Sequence, residues 1–301
     1  MQYDSMTTLV THDGKFHADD VFATAVLLIH LGKDLTDTDI SLERTREKDV
    51  IASGDYVYDV GGIYNEEGNR FDHHQPGAAG KRENGITYAA FGLVWKKFGA
   101  EICGSQSIAN RVDRRVVQPV DALDNGESIC KPTIEGVLPY GVSGVIGSFL
   151  PTWKEEREGI DDIFESLVPF AKKILEREIT WAQDQEEAIL KVTEIFDNSP
   201  NKQVIELDQK YPWEEVADKY PDALYVIHPQ DGKWRAHAIR KGATTFELRK
   251  PFPSEWAGLR DEELQKVTGV DDAFFCHNKL FTTAVGSEEG ARKLAGLALS
   301  A

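Results

Sequence analysis

Apolar and polar positions alternate with a period of two in some early segments of the chain and recur at helical spacing in others. The alternating segments are rich in β-branched and aromatic residues, and they predict short strands at 7–11, 39–45 and 56–60. Between these segments, the almost wholly apolar stretch 21–31 predicts a helix buried under a sheet, and 46–52 a short helix. Strands that alternate with helices indicate βαβ units, so the pattern predicts a doubly wound, mostly parallel α/β sheet.

Helical spacing dominates the middle of the chain. It predicts helices at 87–98, 107–124 and 161–196. Gly99 is expected to end the first of them, while Pro119 and Pro169 are expected to break or kink the other two. The glycine-rich segment 136–147 predicts a loop.

A turn cluster, Asp197-Asn198-Ser199-Pro200, follows the long helical pattern and indicates a domain boundary. Beyond it, shorter strand-like and helical segments are mixed, which is typical of a compact α+β domain. The predicted domains are therefore 1–199, which includes the long helix, and 200–301, which is a smaller α+β domain.

Composition places the chain among ordinary globular proteins. Its 301 residues are 41% hydrophobic and 28% charged, enough for two domains with their own cores. The first residues lack the features of a secretory signal, and no apolar run reaches the length of a membrane span. Cys103, Cys130 and Cys276 are far apart and odd in number, which fits neither a disulfide framework nor a zinc knuckle. A reducing, cytoplasmic location is therefore expected.

The charge balance constrains the substrate. The chain has 51 acidic and 34 basic residues, a formal net charge of −17, whereas duplex binding requires many Lys and Arg contacts to phosphates. Metal ligands account for part of the acidic excess, because divalent ions would offset their charge. The rest favours a small or short substrate, or a local basic groove that the average conceals.

Metal-capable side chains follow the predicted strands. Asp59 lies at the end of one strand, just before two glycines that let the backbone turn sharply. Asp72, His73 and His74 come after a short polar loop and are expected to return to the same edge of the sheet. Ligands bind at the carboxyl ends of strands in open α/β sheets. These residues therefore predict one half of a metal site.

The loop between the first strand and its helix predicts the other half, because it contains His12, His17 and Asp19. Imidazoles mixed with carboxylates suit Mn, Fe, Co or Zn better than Ca, which prefers an all-oxygen shell. Simpler explanations exist for individual residues. Asp19 is also a good helix N-cap, and Asp59 a good turn former. Asp121 and Asp124, three apart on a helix, face either inward or into solvent.

The order of these motifs resembles the DHH phosphoesterase superfamily. The resemblance is closest to its MYG-type exonuclease branch (melanocyte proliferating gene one), and the motifs that carry it are spread over nearly the whole chain. They are Thr11-His12-Asp13-Gly14-Lys15-Phe16-His17-Ala18-Asp19-Asp20, Asp59-Val60-Gly61-Gly62, Arg70-Phe71-Asp72-His73-His74-Gln75, Val120-Asp121-Ala122-Leu123-Asp124-Asn125-Gly126, and Arg249-Lys250-Pro251-Phe252-Pro253 followed by Trp256-Ala257-Gly258-Leu259-Arg260-Asp261.

The resemblance implies a DHH-like fold that binds two divalent ions. Mn²⁺ is the expected metal, and Mg²⁺, Co²⁺ or Zn²⁺ are the alternatives. The resemblance also implies the metal ligands His12, His17, Asp19, Asp59, His73 and Asp121. His74 would then face the substrate phosphate, while Asp72 orients a neighbouring histidine. This chain has His-x4-His-x-Asp where the superfamily has His-x3-Asp-x-Asp, so His17 replaces a carboxylate. Three nearby acids remain alternative ligands: Asp13, Asp20 and Asp124.

The implied function is metal-dependent phosphoester hydrolysis, specifically 3′-to-5′ exonuclease activity on RNA or short oligonucleotides. Hydrolysis of pyrophosphate or a nucleotide is the enzymatic alternative and fits the acidic charge better. A metal-binding scaffold without turnover is the non-enzymatic alternative. In the second domain Arg249 is a candidate phosphate contact, with pairing to surface acids as the other explanation. Formation of a homo-oligomer is left open.

Overall fold

The computed structural model describes residues 6–156, 158–242 and 245–301. The chain divides into two compact units, one ending at Gln183 and the other beginning at Asp184. Each unit contains one five-stranded sheet. Within the described residues, no helix combines the length and the apolar character needed to cross a membrane.

The sheet of the first unit is mostly parallel, as predicted. Its strands are β1 (Thr7–Thr11), β2 (Ile40–Arg44), β3 (Tyr56–Tyr58), β4 (Tyr64–Asn65) and β5 (Arg70–Phe71). They are arranged in the order β2-β1-β3-β5-β4, and all neighbours except β4 and β5 pair in parallel. The strands β4 and β5 are too short for a period-two pattern, so sequence periodicity did not predict them.

Helices cover both faces of this sheet. The helices of this unit that precede the long helix are α1 (Ala18–Leu31), α2 (Lys48–Ser53), α3 (Ala90–Cys103), α4 (Gln106–Val112), α5 (Gln118–Asp124) and α6 (Val142–Gly147). The sheet residues alternate accordingly. Leu9 and Tyr58 belong to the main core with α1 and α3, whereas Val10 and Val57 pack with Val50 and other α2 residues on the opposite face. The doubly wound α/β fold predicted from the sequence is therefore confirmed.

The central helix α1 is held by apolar burial and by hydrogen bonds of its buried polar side chains. Every residue from Ala18 to Leu28 is buried, as the almost continuous apolar pattern predicts. The hydroxyl groups of Thr24 and Tyr58 lie 2.6 Å apart and satisfy each other within the core. Gly32 ends the helix in the left-handed conformation, with φ of 64°. These contacts fix the direction in which the preceding loop leaves β1.

Two expectations about glycine are wrong. Gly99 lies inside α3, because its missing side chain leaves room for the indole of Trp95, which would be 2.8 Å from a Cβ atom at this position. Gly104 ends the helix instead. In the glycine-rich segment 136–147, the last residues form the short helix α6, whose buried Ile146 joins the core. Apolar contacts therefore overrule local glycine propensity in both places.

The helical pattern around Pro119 and Pro169 is less interrupted than expected. Between α4 and α5 the chain makes a π-helical turn, Asp113–Val117, and Pro119 lies in the first turn of α5, where its missing N–H is tolerated. The long helix α7 (Ile160–Asn198) continues through Pro169 without a break.

The second unit contains a mixed sheet that is mostly antiparallel. Its strands are β6 (Val204–Glu206), β7 (Tyr225–Gln230), β8 (Lys233–Ala238), β9 (Ala273–Cys276) and β10 (Thr282–Val285), in the order β6-β7-β8-β10-β9. Its helices are α8 (Glu214–Ala217), α9 (Asp261–Thr268) and α10 (Glu288–Ser300). Tyr225 and Ile227 face one core cluster and Val226 faces the other. This is the smaller α+β domain that the sequence predicts.

The units divide within α7 rather than at its end. Val192 and Phe196, near the end of α7, are fully buried in a core cluster of the second unit. The second compact unit begins at Asp184, and the turn cluster at 197–200 predicts a domain boundary at residue 199. The turn marks the end of the helix, and apolar packing decides which residues belong together.

The ring of Phe164 anchors the first part of α7, being fully buried with its centroid 6.0 Å from that of Phe16. Phe164→Ala should lower the free energy of unfolding by about 3–5 kcal/mol, because it leaves a cavity in the core. Urea unfolding followed by circular dichroism measures this change. Phe170→Ala on the same helix is the control, because Phe170 is 44% exposed and should lose only about 1 kcal/mol. Equal losses in both variants would contradict this assignment of the core.

Candidate metal centre

Three neighbouring parallel strands end at one edge of the first sheet. His12 follows β1, Asp59 follows β3, and Asp72-His73-His74 follow β5. The register pairs Tyr58 with Phe71, so Asp59 and Asp72 lie side by side, and the Asp59 N–H donates to the Phe71 carbonyl at 3.3 Å. Parallel pairing thus brings residues far apart in sequence to a single place.

The Asp59 carboxylate occupies the middle of this group. Its Oδ2 lies 3.2 Å from His12 Nε2, and its Oδ1 lies 3.3 Å from His73 Nε2. The residue is 2% exposed and has φ of 55°, a left-handed conformation that is strained for most side chains but tolerated by Asp. The two oxygens therefore face different imidazoles, as a carboxylate bridging two ions would.

The start of α1 contributes His17 and Asp20. Asp20 Oδ1 accepts a hydrogen bond from the His17 backbone N–H at 2.8 Å, which caps the helix. Its Oδ2 lies 3.3 Å from His12 Nε2. His12 is oriented by its other ring nitrogen, Nδ1, which is 3.0 Å from the carbonyl oxygen of Asp13. The loop thus directs His12 Nε2 towards the two carboxylates.

Asp19 does not cap its own helix. Its two oxygens accept hydrogen bonds from the backbone N–H groups of Ala90 and Phe91, at 2.9 and 2.8 Å, in the first turn of α3. The carboxylate is completely buried and stabilises the positive end of the α3 dipole. Asp19 therefore joins the two central helices at the metal-site edge of the sheet.

Helix α5 places its two acids differently. Asp124 Oδ2 lies 3.3 Å from His73 Nε2. Asp121 Oδ2 instead forms an ion pair with Arg82 Nη1 at 2.7 Å, and Asp121 Oδ1 accepts from the Gly92 N–H at 3.0 Å. Both acids face inward, and Asp124 is the one beside the histidine.

His74 lies at the open side of the group. Its side chain is 62% exposed, and its Nδ1 lies 2.7 Å from Asp72 Oδ1 and 3.5 Å from Asp59 Oδ1. Asp72 is buried and is itself held by the backbone N–H groups of Gly62 and His74. Asp72 thus contacts the histidine that it is predicted to orient.

Three overlapping groups of side chains could each hold a divalent cation, with ligand atoms within 4.8 Å of one another. They are His12-His17-Asp59, Asp59-His73-His74 and Asp19-His73-Asp124. Asp20 Oδ2, Asp59 Oδ1 and His73 Nε2 are buried and have no hydrogen-bond partner in the described part of the chain. Buried polar atoms without partners are unfavourable, and divalent cations would satisfy them. The donor set therefore fits metal ions.

Comparison with known proteins identifies the family. The model of the MYG1 exonuclease family, described as "Uncharacterised protein family (UPF0160)", matches residues 8–299. The chain belongs to the MYG1 exonuclease family. Membership confirms the family predicted from the sequence motifs and, at the level of the family, the predicted enzyme class, a hydrolase of the exonuclease type.

Individual relatives of this MYG1-family chain agree over most of their length. The MYG1 protein of Chlamydia pneumoniae is 32% identical over 298 residues, which cover 96% of this chain and 95% of the relative. The MYG1 exonucleases of Mus musculus and Homo sapiens are 27% and 28% identical, covering 96% of this chain and 84% and 85% of the relatives.

A solved structure with a weaker likeness is RecJ of Thermus thermophilus in complex with Mn²⁺. The likeness has a TM-score of 0.31 and 12% identity, and it covers 98% of this chain and 52% of the RecJ chain. The MYG1-family chain thus spans about half the length of that RecJ chain.

Five of the predicted metal ligands come together in the groups described above: His12, His17, Asp19, Asp59 and His73. The sixth, Asp121, lies with Arg82, and Asp124 occupies the position beside His73. Of the two remaining acids considered as ligands, Asp20 contacts His12, while Asp13 pairs with the exposed Arg46. The sequence did not predict a role for Arg82, because a single arginine in a polar loop carries no periodic or motif signal.

Arg249 in the second unit has a structural role. Its guanidinium donates to the carbonyl oxygens of Tyr220, Ala223, Ala217 and Arg240, at 2.6–3.0 Å. These four bonds use most of its five N–H donors. Asp218, the nearest acid with which it pairs, is 3.9 Å away. The predicted phosphate contact is thus replaced by a cap on backbone carbonyls, which leaves little of the guanidinium for a ligand.

Crowded carboxylates make the metal centre strongly anionic. Burial raises the pKa of Asp19 and of Asp124, and the charge of Asp59 raises both further. Burial also raises the pKa of Asp20 to about 7, although the neighbouring His12 opposes this change. Such carboxylates retain protons until a cation replaces them.

Imidazoles stabilise the central carboxylate. Burial favours the neutral form of Asp59, but close contacts with the His12 and His73 imidazoles outweigh it and hold the pKa of Asp59 below its usual range. Burial likewise lowers the pKa of His12, yet the Asp59 and Asp20 carboxylates outweigh it and raise this pKa to about 9. Burial lowers the pKa of His17, which keeps that imidazole neutral and ready to act as a ligand.

Metal binding should therefore depend on pH. Asp20 and His12, with pKa values of about 7 and 9, lose protons when a cation binds, so Mn²⁺ affinity should rise with pH between roughly 6 and 9. Isothermal titration calorimetry at several pH values, repeated in two buffers of different ionisation enthalpy, measures both affinity and proton release. Equal affinity at both ends of this range would contradict the expectation.

Asp59→Asn should weaken Mn²⁺ binding at least about 100-fold, because it removes the charge that faces both imidazoles while preserving the shape of the side chain. Asp13→Asn is the matched control, since the Asp13 carboxylate is 53% exposed and pairs with Arg46. Metal content after dialysis measures the effect. Full metal content in Asp59→Asn would show that Asp59 is not a ligand.

Proposed function

We propose that this chain is a metal-dependent phosphoesterase, a 3′-to-5′ exonuclease that acts on RNA or short oligonucleotides with two divalent ions. The observation that carries the proposal is the Asp59 carboxylate, whose two oxygens lie 3.2 and 3.3 Å from the Nε2 atoms of His12 and His73. Membership in the exonuclease family supports the nuclease class.

The side chains divide into two ligand sets that share Asp59. His12 and His17 would complete one set, and His73 with Asp19 and Asp124 would complete the other. When bound, two divalent ions would lower the pKa of a water molecule and neutralise charge on the phosphoryl oxygens. Mn²⁺ suits the mixture of imidazoles and carboxylates. His12, Asp59 and His73 come from one edge of the sheet, whereas His17, Asp19 and Asp124 come from the start of α1 and from α5. Both sets are therefore supported by regular elements of the fold.

His74 is placed to bind the substrate. Its Nδ1 is held by Asp72, so its Nε2 is directed away from that carboxylate and, in the imidazolium form, can donate a hydrogen bond to a phosphate oxygen. The ring is largely exposed at the cavity that also contains His12, His17 and Asp59. Asp72 is buried beneath this ring and acts through His74.

Support for a nucleic-acid substrate comes from the relatives. The mouse and human relatives are named MYG1 exonucleases, and the chain covers more than four-fifths of each. The printed names give neither RNA nor a direction of cleavage, and both are part of the proposal.

Hydrolysis of pyrophosphate or of a nucleotide is the second candidate. The net charge of −17 favours it, because a small substrate needs few compensating cations. The cavity at the metal centre has a volume of about 510 Å³, which also accommodates a small ligand. The substrate that the purified enzyme prefers decides between the two candidates.

His73→Ala should lower hydrolysis of a short RNA by about 10³-fold or more, because it removes an imidazole that faces both Asp59 and Asp124. Initial rates under saturating Mn²⁺ measure the loss, and His277→Ala in the second unit is the control. Full activity in His73→Ala would overturn the assignment of the active site.

Direction and substrate class are tested together with labelled RNA. A 3′-terminal label should appear at once in mononucleotides, whereas a 5′-terminal label should give a ladder that shortens with time. Pyrophosphate is assayed in parallel. Release of the 5′ label first would refute the direction, and hydrolysis of pyrophosphate alone would favour the second candidate.

A further inference from the structure

A second cavity lies in the first unit, on the face of the sheet that α2 covers. It has a volume of about 490 Å³, within the ordinary range for ligand sites. We call it the cationic groove and define it by three basic residues, Arg46, Lys48 and Arg70, and by an apolar surface of Ile51, Val60 and Ile63.

The cationic groove is continuous with the cavity of the metal centre. Arg46, Val60 and Gly61 line both cavities. Gly61 has φ of +96°, and a Cβ atom there would lie 3.2 Å from Ile51 Cγ2. Only glycine therefore fits without strain at this position, which lines both cavities.

The charge of the groove is opposite to that of the chain. Among the described residues its lining contains no carboxylate, although acids outnumber bases by 51 to 34 overall. Lys48 is exposed, and Arg70 donates only to the carbonyls of Ala52, Gly68 and Asn69. Within the part of the chain that the structure describes, neither has a carboxylate within salt-bridge distance. Both charges are thus available to an anion.

The apolar surface offers a contact for bases. The side chain of Ile63 is 56% exposed, an unusual position for a large aliphatic residue, and Ile51 and Val60 lie beside it. Cationic groups beside exposed apolar surface suit a nucleotide chain, because its phosphates are charged and the faces of its bases can pack on apolar side chains.

We propose that the cationic groove binds the part of a single-stranded nucleic acid that extends away from the phosphodiester at the metal centre. The inference rests on the proposed function and specifies its substrate as a polymer of nucleotides. Lys48 and Arg70 contact the backbone phosphates, and Ile63 contacts a base. Pyrophosphate, which occupies only the metal cavity, gains nothing from these contacts.

The test compares a six-nucleotide RNA with bis(p-nitrophenyl) phosphate, a phosphodiester too small to reach the groove. Lys48→Glu should raise KM for the RNA about tenfold at low salt and leave kcat nearly unchanged. Arg70→Gln, which removes the charge but keeps hydrogen-bonding capacity, should also raise KM for the RNA. The slope of log KM against log salt should fall by about 0.7 for each phosphate that the variant no longer binds. KM for bis(p-nitrophenyl) phosphate should stay constant.

Lys173→Glu on α7 is the matched control for Lys48→Glu, because the Lys173 side chain is 71% exposed and both substitutions change the net charge by the same amount. If Lys48→Glu and Arg70→Gln behave like Lys173→Glu on the RNA, or impair both substrates alike, the groove proposal is overturned while the phosphoesterase stands. If the wild type hydrolyses neither substrate, the proposed function fails. Fluorescence anisotropy with a labelled RNA then tests the groove by itself, and equal affinity of wild type and Lys48→Glu overturns it.

Discussion

The parallel pairing of β1, β3 and β5 is the constraint on which the rest of this structure depends. Because the three strands run side by side in the same direction, His12, Asp59 and His73 meet at one edge. A shift of a single residue in the register would turn the Asp59 side chain to the other face of the sheet. The main core, which contains Leu9, Tyr58 and Phe71, holds that register by burying their side chains against α1 and α3.

The same pairing concentrates acids away from water, and several parts of the fold compensate for their burial. Asp19 receives two backbone N–H groups from α3, Asp121 receives Arg82, and Asp59 receives two imidazoles. Each acid thus has a different partner. Asp20 and Asp59 each keep one buried oxygen without a hydrogen-bond partner in the described part of the chain, and both carboxylates contact His12. The buried carboxylates at this edge therefore carry negative charge that their protein partners compensate only in part, and divalent cations would neutralise the rest.

Charge is distributed unevenly over the chain, and this distribution bears on function. The net charge of −17 alone suggests poor affinity for nucleic acid. Part of the excess of acidic residues lies in the metal centre, where bound cations would neutralise their charge. Three basic residues line the groove beside it. A polyanion is affected by the local field that it meets at the site more than by the average of the whole molecule.

The sequence by itself determined the α/β class and the family, and it predicted His12, His17, Asp19, Asp59 and His73 as ligands, which the structure brings close together. Strand periodicity, strand-end position and motif order are local properties that can be read from the sequence, and residues that follow adjacent parallel strands lie at the same edge of a sheet. Only the tertiary structure decided that Asp124 rather than Asp121 lies beside His73, that Arg82 joins Asp121, and that Arg249 binds carbonyl groups. It also decided that Gly99 lies inside a helix and that three cations share a groove. These features depend on contacts between residues distant in sequence, whose distances and packing no local pattern encodes.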